Sequence, residues 1–476
     1  MSRRILTALP VVALAAVSFG QLGRPANAID MIIAETRDHA QAYSILSEIV
    51  TKFGPRSTAS DALLDAQHWA VRKFMDFGVD NAWLEEYAEA PVRFQRGKAN
   101  WGGFAAPYRY QMAFSTPAYT VGTNGAVAGP PVKNPTSLEE AKKMAKELKG
   151  AWVLMPTKVG MGSANLTRPT ETDKFVDSCG IAGRIFSSNS DKYVWTHGSW
   201  TAYKKETRPK TPLVVINKSD YGLVEYNMAK GRKPVLEFNV DNRLEDKPTK
   251  LYNVVAEIKG SVNPFEYVIV SGHFDSWDGP GSQGAMDNGT GSSMVLELAR
   301  VFAKLKLRPM RTIRFVLWSG EEQGLLGSQG YVKKHKDEMD KVQAVFVEDH
   351  GQNPYQGVVV QTDMKPFFEP TIAKLAGAYP EFKFELKTAD RLPGGGSDHG
   401  SFIAQGVPGF QLQKADGPVS YTEIWHTQND RISYVQPRCI AQNATYVGSL
   451  AYALADMQQR LPKALPGSRR RAGSGQ

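Results

Sequence analysis

The stretch "GHFDSWDGPGSQGAMDNGTG", residues 272–291, places one histidine and three aspartates among glycines and other small residues. It follows the apolar run "YVIV" at residues 267–270, which predicts a buried strand. Carboxylates that serve only solubility need no buried strand in front of them, because water solvates them anywhere on the surface. A histidine and several carboxylates where a buried strand ends therefore indicate a metal site, and its other ligands should lie further along the chain.

Beyond this stretch the sequence alternates helices and strands. "NGTGSSMVLELARVFAKL", residues 288–305, predicts a helix with apolar residues along one side, and "RTIRFVLWSG", residues 311–320, predicts a second buried strand. This alternation favours an α/β fold with a mixed, largely parallel sheet covered by helices. Ligands of such sheets gather outside the carboxyl ends of the strands. His273 and Glu321 stand at two such ends.

Two regions of different texture come before this pattern. Residues from about 30 to 90 are predicted to be mainly helical, from the periodicity of "SILSEIVTKF" and "DALLDAQHWAVRKFMDFGV". From about 115 to 245, short apolar strands such as "AWVLMP" and "TPLVVIN" alternate with turn residues. We expect a small, separate β-rich domain there.

The first residues are typical of a secretory signal peptide. Arg3 and Arg4 precede an apolar run at residues 5–20, and "ANA" at residues 26–28 is a small-x-small cleavage site. We therefore predict a signal peptide at residues 1–28 and an exported, periplasmic or secreted, mature protein. A permanent membrane anchor is the alternative, although the apolar run is short for spanning a bilayer. The arginine pair also suits twin-arginine export.

The formal net charge of +9 is concentrated at the two ends of the chain. Cleavage of the signal peptide would leave a net charge of +6. Five of these charges come from basic residues after Met457, so the rest of the mature chain carries about +1. Residues 463–476 are predicted to form a basic disordered tail. No basic patch for nucleic acid is indicated. Export would permit a disulfide between Cys179 and Cys439, but the sequence leaves their pairing open.

Further candidate metal ligands follow the opening stretch in order. Neutral imidazoles and carboxylates suit zinc in a hydrolase. Two zinc ions about 3.5–4 Å apart need one shared carboxylate and further ligands on each side. Each motif alone is weak, because a lone histidine is more often structural and a Glu-Glu pair is often a solvated helix start. The ordered set is much stronger, and it comprises His273-Phe274-Asp275, Asp287, Glu321-Glu322, Asp349 and His426.

This ordered set resembles the di-zinc exopeptidase family that contains aminopeptidases and glutamate carboxypeptidases. The likeness rests on "SGHFDSWD", "GAMDNGTG", "LRPMRTIRFVLWSGEEQG" and "ADMQQRLP". "INKSDYGLVEYNMAKGRKPVLEFNVDNR" is similar to the end of the protease-associated domain that this family inserts before its catalytic sheet. The resemblance implies a zinc peptidase domain at residues 29–114 and 246–462, with a β-rich protease-associated-type domain inserted at residues 115–245.

The resemblance also implies a role for each ligand. Asp287 would bridge two zinc ions, with His273 and Asp349 completing one site and Glu322 and His426 the other. The family also holds a cis peptide after the bridging aspartate, which falls here between Asp287 and Asn288.

The remaining roles concern proton transfer and orientation. Glu321 would be the general base that takes a proton from the zinc-activated water. Asp275 would hydrogen-bond the far nitrogen of His273. Glu348 is the alternative to Asp349 as the fourth ligand, because the family motif is looser there.

The run "GGGSDHGSF", residues 394–402, is similar to a serine-aspartate segment of related aminopeptidases. Asp398 and His399 are therefore candidates for the substrate pocket, although a glycine turn with a polar tip explains the same residues. Tryptophans flank three of the ligand motifs and could wall a cleft, but such aromatics more often pack the core. They are Trp277, Trp318 and Trp425.

The function expected from these observations is that of an exported metallo-exopeptidase with two zinc ions per chain, acting on small peptides or dipeptides. Alternatives are an aminopeptidase of the same fold, an inactive binding module, and a single-zinc enzyme for glutaminyl cyclisation. We expect a peptide or dipeptide substrate, no nucleic acid, and no membrane partner after signal cleavage. The sequence leaves open whether the protein holds the amino or the carboxyl terminus of its substrate. A carboxypeptidase needs a cation for the carboxyl terminus, but spacing singles out no arginine for this role, Arg391 included. A homodimer is one option for the oligomeric state.

Overall fold

The computed structural model describes residues 28–160, 170–200, 208–279, 281–417 and 419–465. The predicted signal peptide, except Ala28, and the chain after Leu465 lie outside the described residues. No helix in the described ranges is long and apolar enough to cross a membrane. The two cysteines, both described, do not form a disulfide.

Helices of the described residues follow the periodic segments of the sequence. The segments "SILSEIVTKF" and "DALLDAQHWAVRKFMDFGV", predicted to be helical, form most of the second and third of these helices. The third starts at the N-cap Ser60, whose side chain accepts from the backbone N–H of Leu63, and stops at Gly78 in the left-handed conformation, with φ 88°. The α-helices are α1 (Ala28–Asp38), α2 (Ala42–Lys52), α3 (Asp61–Phe77), α4 (Leu138–Lys143), α5 (Ala145–Leu148), α6 (Glu171–Ser178), α7 (Lys218–Ala229), α8 (Gly289–Lys304), α9 (Leu326–Lys334), α10 (Lys365–Leu375), α11 (His399–Ile403), α12 (Tyr421–Ile424) and α13 (Pro437–Asp456).

The strands of the described residues are distributed over five sheets. They are β1 (Asn81–Ala90), β2 (Arg93–Arg96), β3 (Trp101–Ala106), β4 (Tyr110–Gln111), β5 (Phe114–Ser115), β6 (Val127–Gly129), β7 (Pro131–Lys133), β8 (Trp152–Val159), β9 (Gly183–Ser188), β10 (Leu213–Ile216), β11 (Val235–Asn239), β12 (Asn242–Glu245), β13 (Thr249–Ile258), β14 (Asn263–His273), β15 (Arg311–Trp318), β16 (Val342–Glu348), β17 (Tyr355–Gln361), β18 (Glu385–Ala389), β19 (Gly409–Phe410) and β20 (Gln413–Lys414).

The largest sheet has the order β1-β13-β15-β14-β16-β19. Strands β15, β14, β16 and β19 are parallel to one another. At one side of them, β13 pairs antiparallel with β15, and β1 pairs antiparallel with β13. Parallel strands joined by helices must be covered on both faces, which explains why β15 and β16 are buried throughout.

The two faces of this sheet bury different apolar clusters. Val268, Val270 and Phe315 belong to the core under α1, α2, α3, α8 and α13, whereas Ile269 and Val316 pack on the other face near α9. Alternating side chains of one strand therefore reach opposite faces. The predicted α/β class, with a largely parallel sheet covered by helices, is confirmed.

The region between β1 and β13 holds two further sheets. One has the order β5-β10-β9-β8-β7 and is mostly parallel, and the other has the order β4-β3-β11-β6 and is antiparallel. Helices α4 to α7 lie in the same part of the chain, so the expected β-rich region also contains helices. Strand β3, which begins at Trp101, pairs with β11, so residues before the expected start at 115 belong to one of these sheets.

Two other expectations need correction. Residues 81–90, expected within a mainly helical region, form strand β1, which pairs with β13 along the edge of the largest sheet. The tail expected from residue 463 is still attached to the fold at Ala464 and at the backbone of Leu465. Ala464 is buried, and the backbone N–H of Leu465 donates to the side chain of Gln361 at 2.6 Å.

Candidate metal centre

Three adjacent parallel strands bring candidate ligands to one edge of the largest sheet. His273 is the last residue of β14, and Asp349 directly follows β16. Glu321 and Glu322 follow β15 after a two-residue turn, Ser319 and Gly320. The carboxyl ends of parallel strands meet at the same edge, as the sequence predicted for His273 and Glu321.

Asp287 reaches the same edge from the start of α8. Its neighbour Asn288 caps this helix by accepting from the backbone N–H of Gly291 at 3.0 Å. The side-chain amide of Asn288 also donates to the backbone carbonyl of Glu348 at 2.7 Å, which ties the helix start to the end of β16. The Asp287–Asn288 peptide is cis, as the resemblance implied.

His426 comes from a loop after α12 rather than from a strand end. Residues from the region between β1 and β13 hold this loop: the backbone N–H of Thr196 donates to the carbonyl of His426 at 2.6 Å, and Trp195 forms an antiparallel bridge with Thr427. The ring of Trp425 stacks on the imidazole of His426, with centroids 3.8 Å apart. The position of this imidazole therefore depends on both parts of the chain.

The two histidines approach opposite oxygens of one carboxylate. Nε2 of His273 lies 3.2 Å from Oδ1 of Asp287, and Nε2 of His426 lies 3.4 Å from Oδ2. On the first side, Oδ1 of Asp349 is 3.6 Å from Nε2 of His273. On the second, Oε2 of Glu322 is 3.0 Å from Nε2 of His426. The structure thus brings all five predicted ligands into two groups that share Asp287.

Each group is compact enough for one metal ion. One ligand atom from each of His273, Asp287 and Asp349 lies within 4.8 Å of the others, and so do atoms from Asp287, Glu322 and His426. Within the described ranges, Nε2 of His273, Oδ2 of Asp287 and Oε1 of Glu322 are buried without a hydrogen-bond partner. Buried polar atoms are normally satisfied. Imidazole nitrogens and carboxylate oxygens left in this state fit a divalent cation such as zinc.

Glu321 lies beside these groups. One of its carboxylate oxygens is within 4.8 Å of ligand atoms of His273 and Glu322. Burial raises the pKa of Glu321 well above its usual value, and the carboxylates of Asp349 and Glu322 add to this while His273 opposes it. In the metal-free protein this carboxyl group therefore holds a proton readily.

The electrostatics of the metal-free centre reflect crowded carboxylates. Burial raises the pKa of Glu322 to about 7, and the charge of Asp287 contributes in the same direction. Burial lowers the pKa of His426, but Glu322 and Asp287 outweigh it and raise the value to about 9. Protons thus occupy the centre near neutral pH. A divalent cation would have to displace them, as metal ligands bind in deprotonated form.

Asp275 lies next to His273 with its two acceptor groups in different places. Its backbone carbonyl oxygen is 2.9 Å from Nδ1 of His273, whereas its carboxylate is 3.7 Å away. The carboxylate instead accepts from the hydroxyl of Thr58 at 2.8 Å and from the backbone N–H groups of Glu321 and Glu322 at 3.2 and 3.3 Å. The expected hydrogen bond between Asp275 and the far nitrogen of His273 is therefore present, with the backbone carbonyl as its acceptor.

The other candidates occupy different positions. Glu348, the alternative ligand, pairs with Lys414 at 2.5 Å and belongs to neither group, so Asp349 is the acid that faces His273. Asp398 is fully buried, and burial raises its pKa to about 7. His399 lines a cleft of about 670 Å³ together with residues that include His350.

Of the three tryptophans that flank ligand motifs, one packs in the core and two lie beside the candidate metal ligand His426. Trp318 packs in the core against Tyr331. Trp277 lies 5.8 Å from the imidazole of His426, ring centre to ring centre, so it and Trp425 flank a candidate ligand.

Sequence reasoning missed the residues that support the ligands from outside the motifs. No motif singled out Thr58, yet its hydroxyl donates to the carboxylate of Asp275. The support from Thr196 was also missed. No sequence signal marked either contact, because each joins residues more than two hundred positions apart in the chain.

Comparisons with known proteins agree with this geometry. Residues 253–451 match the model of peptidase family M28. The chain is 27% identical over 436 residues to carboxypeptidase Q of Xenopus laevis, covering 89% of this chain and 87% of that protein. A peptidase M28 precursor from Shewanella amazonensis superposes with a TM-score of 0.67 at 23% identity, covering 92% of this chain and 98% of that one. A zinc aminopeptidase from Bacillus subtilis has a TM-score of 0.57 at 20% identity, covering 90% and 98%.

Proposed function

Because this chain carries a peptidase family M28 domain, we propose that it is a zinc-dependent exopeptidase that hydrolyses small peptides or dipeptides, in the manner of carboxypeptidase Q. The observation that carries the proposal is the placement of Asp287, whose two carboxylate oxygens face His273 and His426. A carboxylate shared by two ligand groups is the arrangement that two catalytic metal ions require.

We propose two zinc ions per chain. His273 and Asp349 would hold one, Glu322 and His426 the other, and Asp287 both. The support is the buried, unpartnered state of three of these ligand atoms within the described ranges. Zinc bound here would lower the pKa of a water ligand from about 15.7 toward about 7 and would polarise the substrate carbonyl.

Glu321 supplies the proton transfer in this proposal. Its carboxylate takes a proton from the attacking water and then passes it to the leaving amine. It is suited to this task because it lies beside both groups and belongs to neither of the two that share Asp287. With cations in place, its pKa falls from the raised metal-free value, so that the carboxylate can accept a proton near neutral pH.

The place of action in this proposal is outside the cytoplasm, after removal of residues 1–28. A charged n-region, an apolar run and the "ANA" site support export. An aminopeptidase of the same fold is the alternative activity, and it differs in which terminus of the substrate the protein holds. The fold shared with the Bacillus subtilis enzyme is compatible with either.

The test is a panel of unblocked dipeptides, amino-blocked analogues and carboxyl-blocked analogues, assayed with and without chelator. Zinc per chain is counted on the same preparation. We expect two zinc ions and chelator-sensitive release of free amino acids. Loss of turnover on blocking the carboxyl end indicates a carboxypeptidase, and loss on blocking the amino end an aminopeptidase. A dipeptidase should reject both analogues.

Two results would contradict the proposal. Zinc binding without release of amino acids from any unblocked dipeptide would indicate a binding module. One zinc ion per chain, with cyclisation of amino-terminal glutamine, would indicate the single-zinc alternative.

A further inference from the structure

Arg56 is a fully buried arginine in the segment between α2 and α3. Its Nε donates to the backbone carbonyl of Phe274 at 2.8 Å, and its Nη2 donates to that of Gly284 at 2.8 Å. Its Nη1 donates to the carbonyl of Gly54 at 2.6 Å. All three acceptors are neutral carbonyls, which is unusual for a buried guanidinium, because buried charges are normally paired.

These acceptors lie in the stretch that carries two of the proposed ligands. Phe274 directly follows His273, and Gly284 lies three residues before Asp287. One planar guanidinium therefore spans the segments that hold two ligands of the same proposed metal site. It links the two segments by one hydrogen bond to each.

The backbone around Arg56 adds to this connection. Its N–H donates to Oγ of Ser276 at 3.0 Å, and its carbonyl accepts from the N–H of Ser276 at 3.1 Å. Two residues later, Thr58 donates to the carboxylate of Asp275. Residues 54–58 thus contact the stretch after His273 at several consecutive residues, and the stretch before Asp287 through the guanidinium.

The charge of Arg56 is retained at neutral pH. Burial lowers its pKa to about 10, although Asp430, Asp275 and Asp287 act in the opposite direction. Other buried arginines of the chain have a carboxylate partner: Arg300 pairs with Glu297 and Glu35. A guanidinium offers five N–H donors in a rigid plane, whereas an ammonium offers three from a single atom. Only the guanidinium can reach three carbonyls that lie on different segments.

We propose that Arg56 is a positioning residue of the metal centre, which holds the His273 and Asp287 segments at the separation needed to bind a metal ion. This inference rests on the proposed function, since it requires that the centre binds zinc. It goes beyond that function by assigning part of the zinc affinity to a residue that is not itself a ligand.

Charge and position predict opposite effects on zinc binding. If the positive charge of Arg56 acted alone, it would repel a cation, and its removal would strengthen binding. If its three hydrogen bonds position the ligands, loss of those bonds weakens binding whether or not the charge remains. Arg56→Lys keeps the charge and loses the three-way contact, and Arg56→Gln loses both.

Arg311 offers a matched control. It is as buried as Arg56, and it donates to the backbone carbonyls of Met457 and Gln458 as well as to Glu266. It is the first residue of β15 and lies at the sheet edge opposite the metal centre. Substitution of Arg311 should therefore lower stability without changing the ligands.

The experiment measures the zinc affinity of the full mature chain by competition with a chromophoric chelator, and the thermal unfolding midpoint of the metal-free form. We expect both Arg56 variants to bind zinc about 10- to 100-fold more weakly than wild type, the usual cost of losing support behind a ligand. Arg311→Lys and Arg311→Gln should unfold at lower temperature and bind zinc with wild-type affinity.

Several outcomes would overturn the inference. Wild-type affinity in both Arg56 variants would show that the contact does not position the ligands. Tighter binding in Arg56→Gln with unchanged binding in Arg56→Lys would show a charge effect only. If Arg56 and Arg311 variants with the same unfolding midpoint lost the same amount of zinc affinity, the loss would be a general effect of lower stability. Absence of zinc binding in wild type would instead refute the proposed function itself.

Discussion

The backbone carbonyl oxygen of Asp275 lies 2.9 Å from Nδ1 of His273. This contact assigns the proton of the imidazole to Nδ1 and leaves Nε2 free to face Asp287 and Asp349. The carboxylate of Asp275 is thereby available to the N–H groups of Glu321 and Glu322. One residue therefore orients a proposed zinc ligand with its backbone and the proposed base with its side chain.

The first prediction separates these two tasks. Asp275→Asn keeps the carbonyl but replaces an acceptor of three hydrogen bonds by an amide, whose N–H₂ cannot accept from a backbone N–H. We expect kcat/KM to fall about 10- to 100-fold, the range found for groups that support a metal site. Zinc content should stay at the wild-type value.

Asp278→Asn is the control for this change, because Asp278 is buried in the same stretch but pairs with Arg96 at 3.0 Å. If Asp275→Asn lost as much zinc as turnover, the carboxylate of Asp275 would be needed to orient His273.

The second prediction concerns the proposed base. Glu321→Gln cannot accept a proton, so kcat should fall by about 10²- to 10⁴-fold. Zinc content and the unfolding midpoint should be retained, because Glu321 is in neither group that shares Asp287. Glu322→Gln is the contrasting variant and should lose zinc. If Glu321→Gln turned over substrate at nearly the wild-type rate, another group would have to be the base.

The third prediction concerns metal removal. Chelation should lower the thermal unfolding midpoint of wild type, because a ligand that binds only the folded state stabilises it by about 2.7 kcal/mol at 100 times its Kd. Added zinc should restore both the midpoint and the activity. Asp287→Ala should show no such response to chelator, since both groups lose their shared carboxylate. Two zinc ions retained in Asp287→Ala would argue against a bridging role.

The fourth prediction concerns the docking of α1, far from the metal centre. Glu35 is buried and contacts Arg300 at 2.7 Å and Lys304 at 2.8 Å. Burial raises the pKa of Glu35, but these two cations outweigh it, and the net pKa is lowered. An acid with a lowered folded pKa stabilises the protein fully above its unfolded pKa of about 4.3, and this contribution is lost as pH falls through the folded value.

Glu35→Gln should therefore be less stable than wild type at pH 7 by about 1–3 kcal/mol, from the lost charged hydrogen bonds. The difference should shrink as the pH falls below about 4, as measured by urea unfolding over a pH series. Asp30→Asn, which removes an exposed pair of the same helix with Lys374, should change stability little at pH 7. A difference for Glu35→Gln that does not change down to pH 2 would contradict the assignment.

The strand-end ligands were the most predictable part of the centre. His273, Glu321 and Asp349 follow apolar runs, and parallel strands place their carboxyl ends at one edge. His426 follows no strand, so only its residue type and the family resemblance indicated it. The hydrogen bond between Asp275 and His273 was predicted, but sequence does not show whether the carbonyl or the carboxylate of Asp275 accepts it.

Contacts between distant segments were the least predictable part. Strand β3 has the glycine-rich sequence "WGGFAA" and forms by pairing with β11, more than a hundred residues later in the chain. Local periodicity gives no sign of a pairing over this distance. Arg56 was missed for the same reason, since two of its three acceptors, Phe274 and Gly284, are more than two hundred residues away.

The hydrogen bond from Thr196 to the carbonyl of His426 limits how such a protein can be recombined. A chimera that exchanged only residues 101–239 for the matching unit of a relative would carry a foreign surface against the loop at residues 421–428. That loop would have to be exchanged together with the unit. The two parts of this chain are therefore expected to behave as one module in domain-shuffling experiments, although they are separate in sequence.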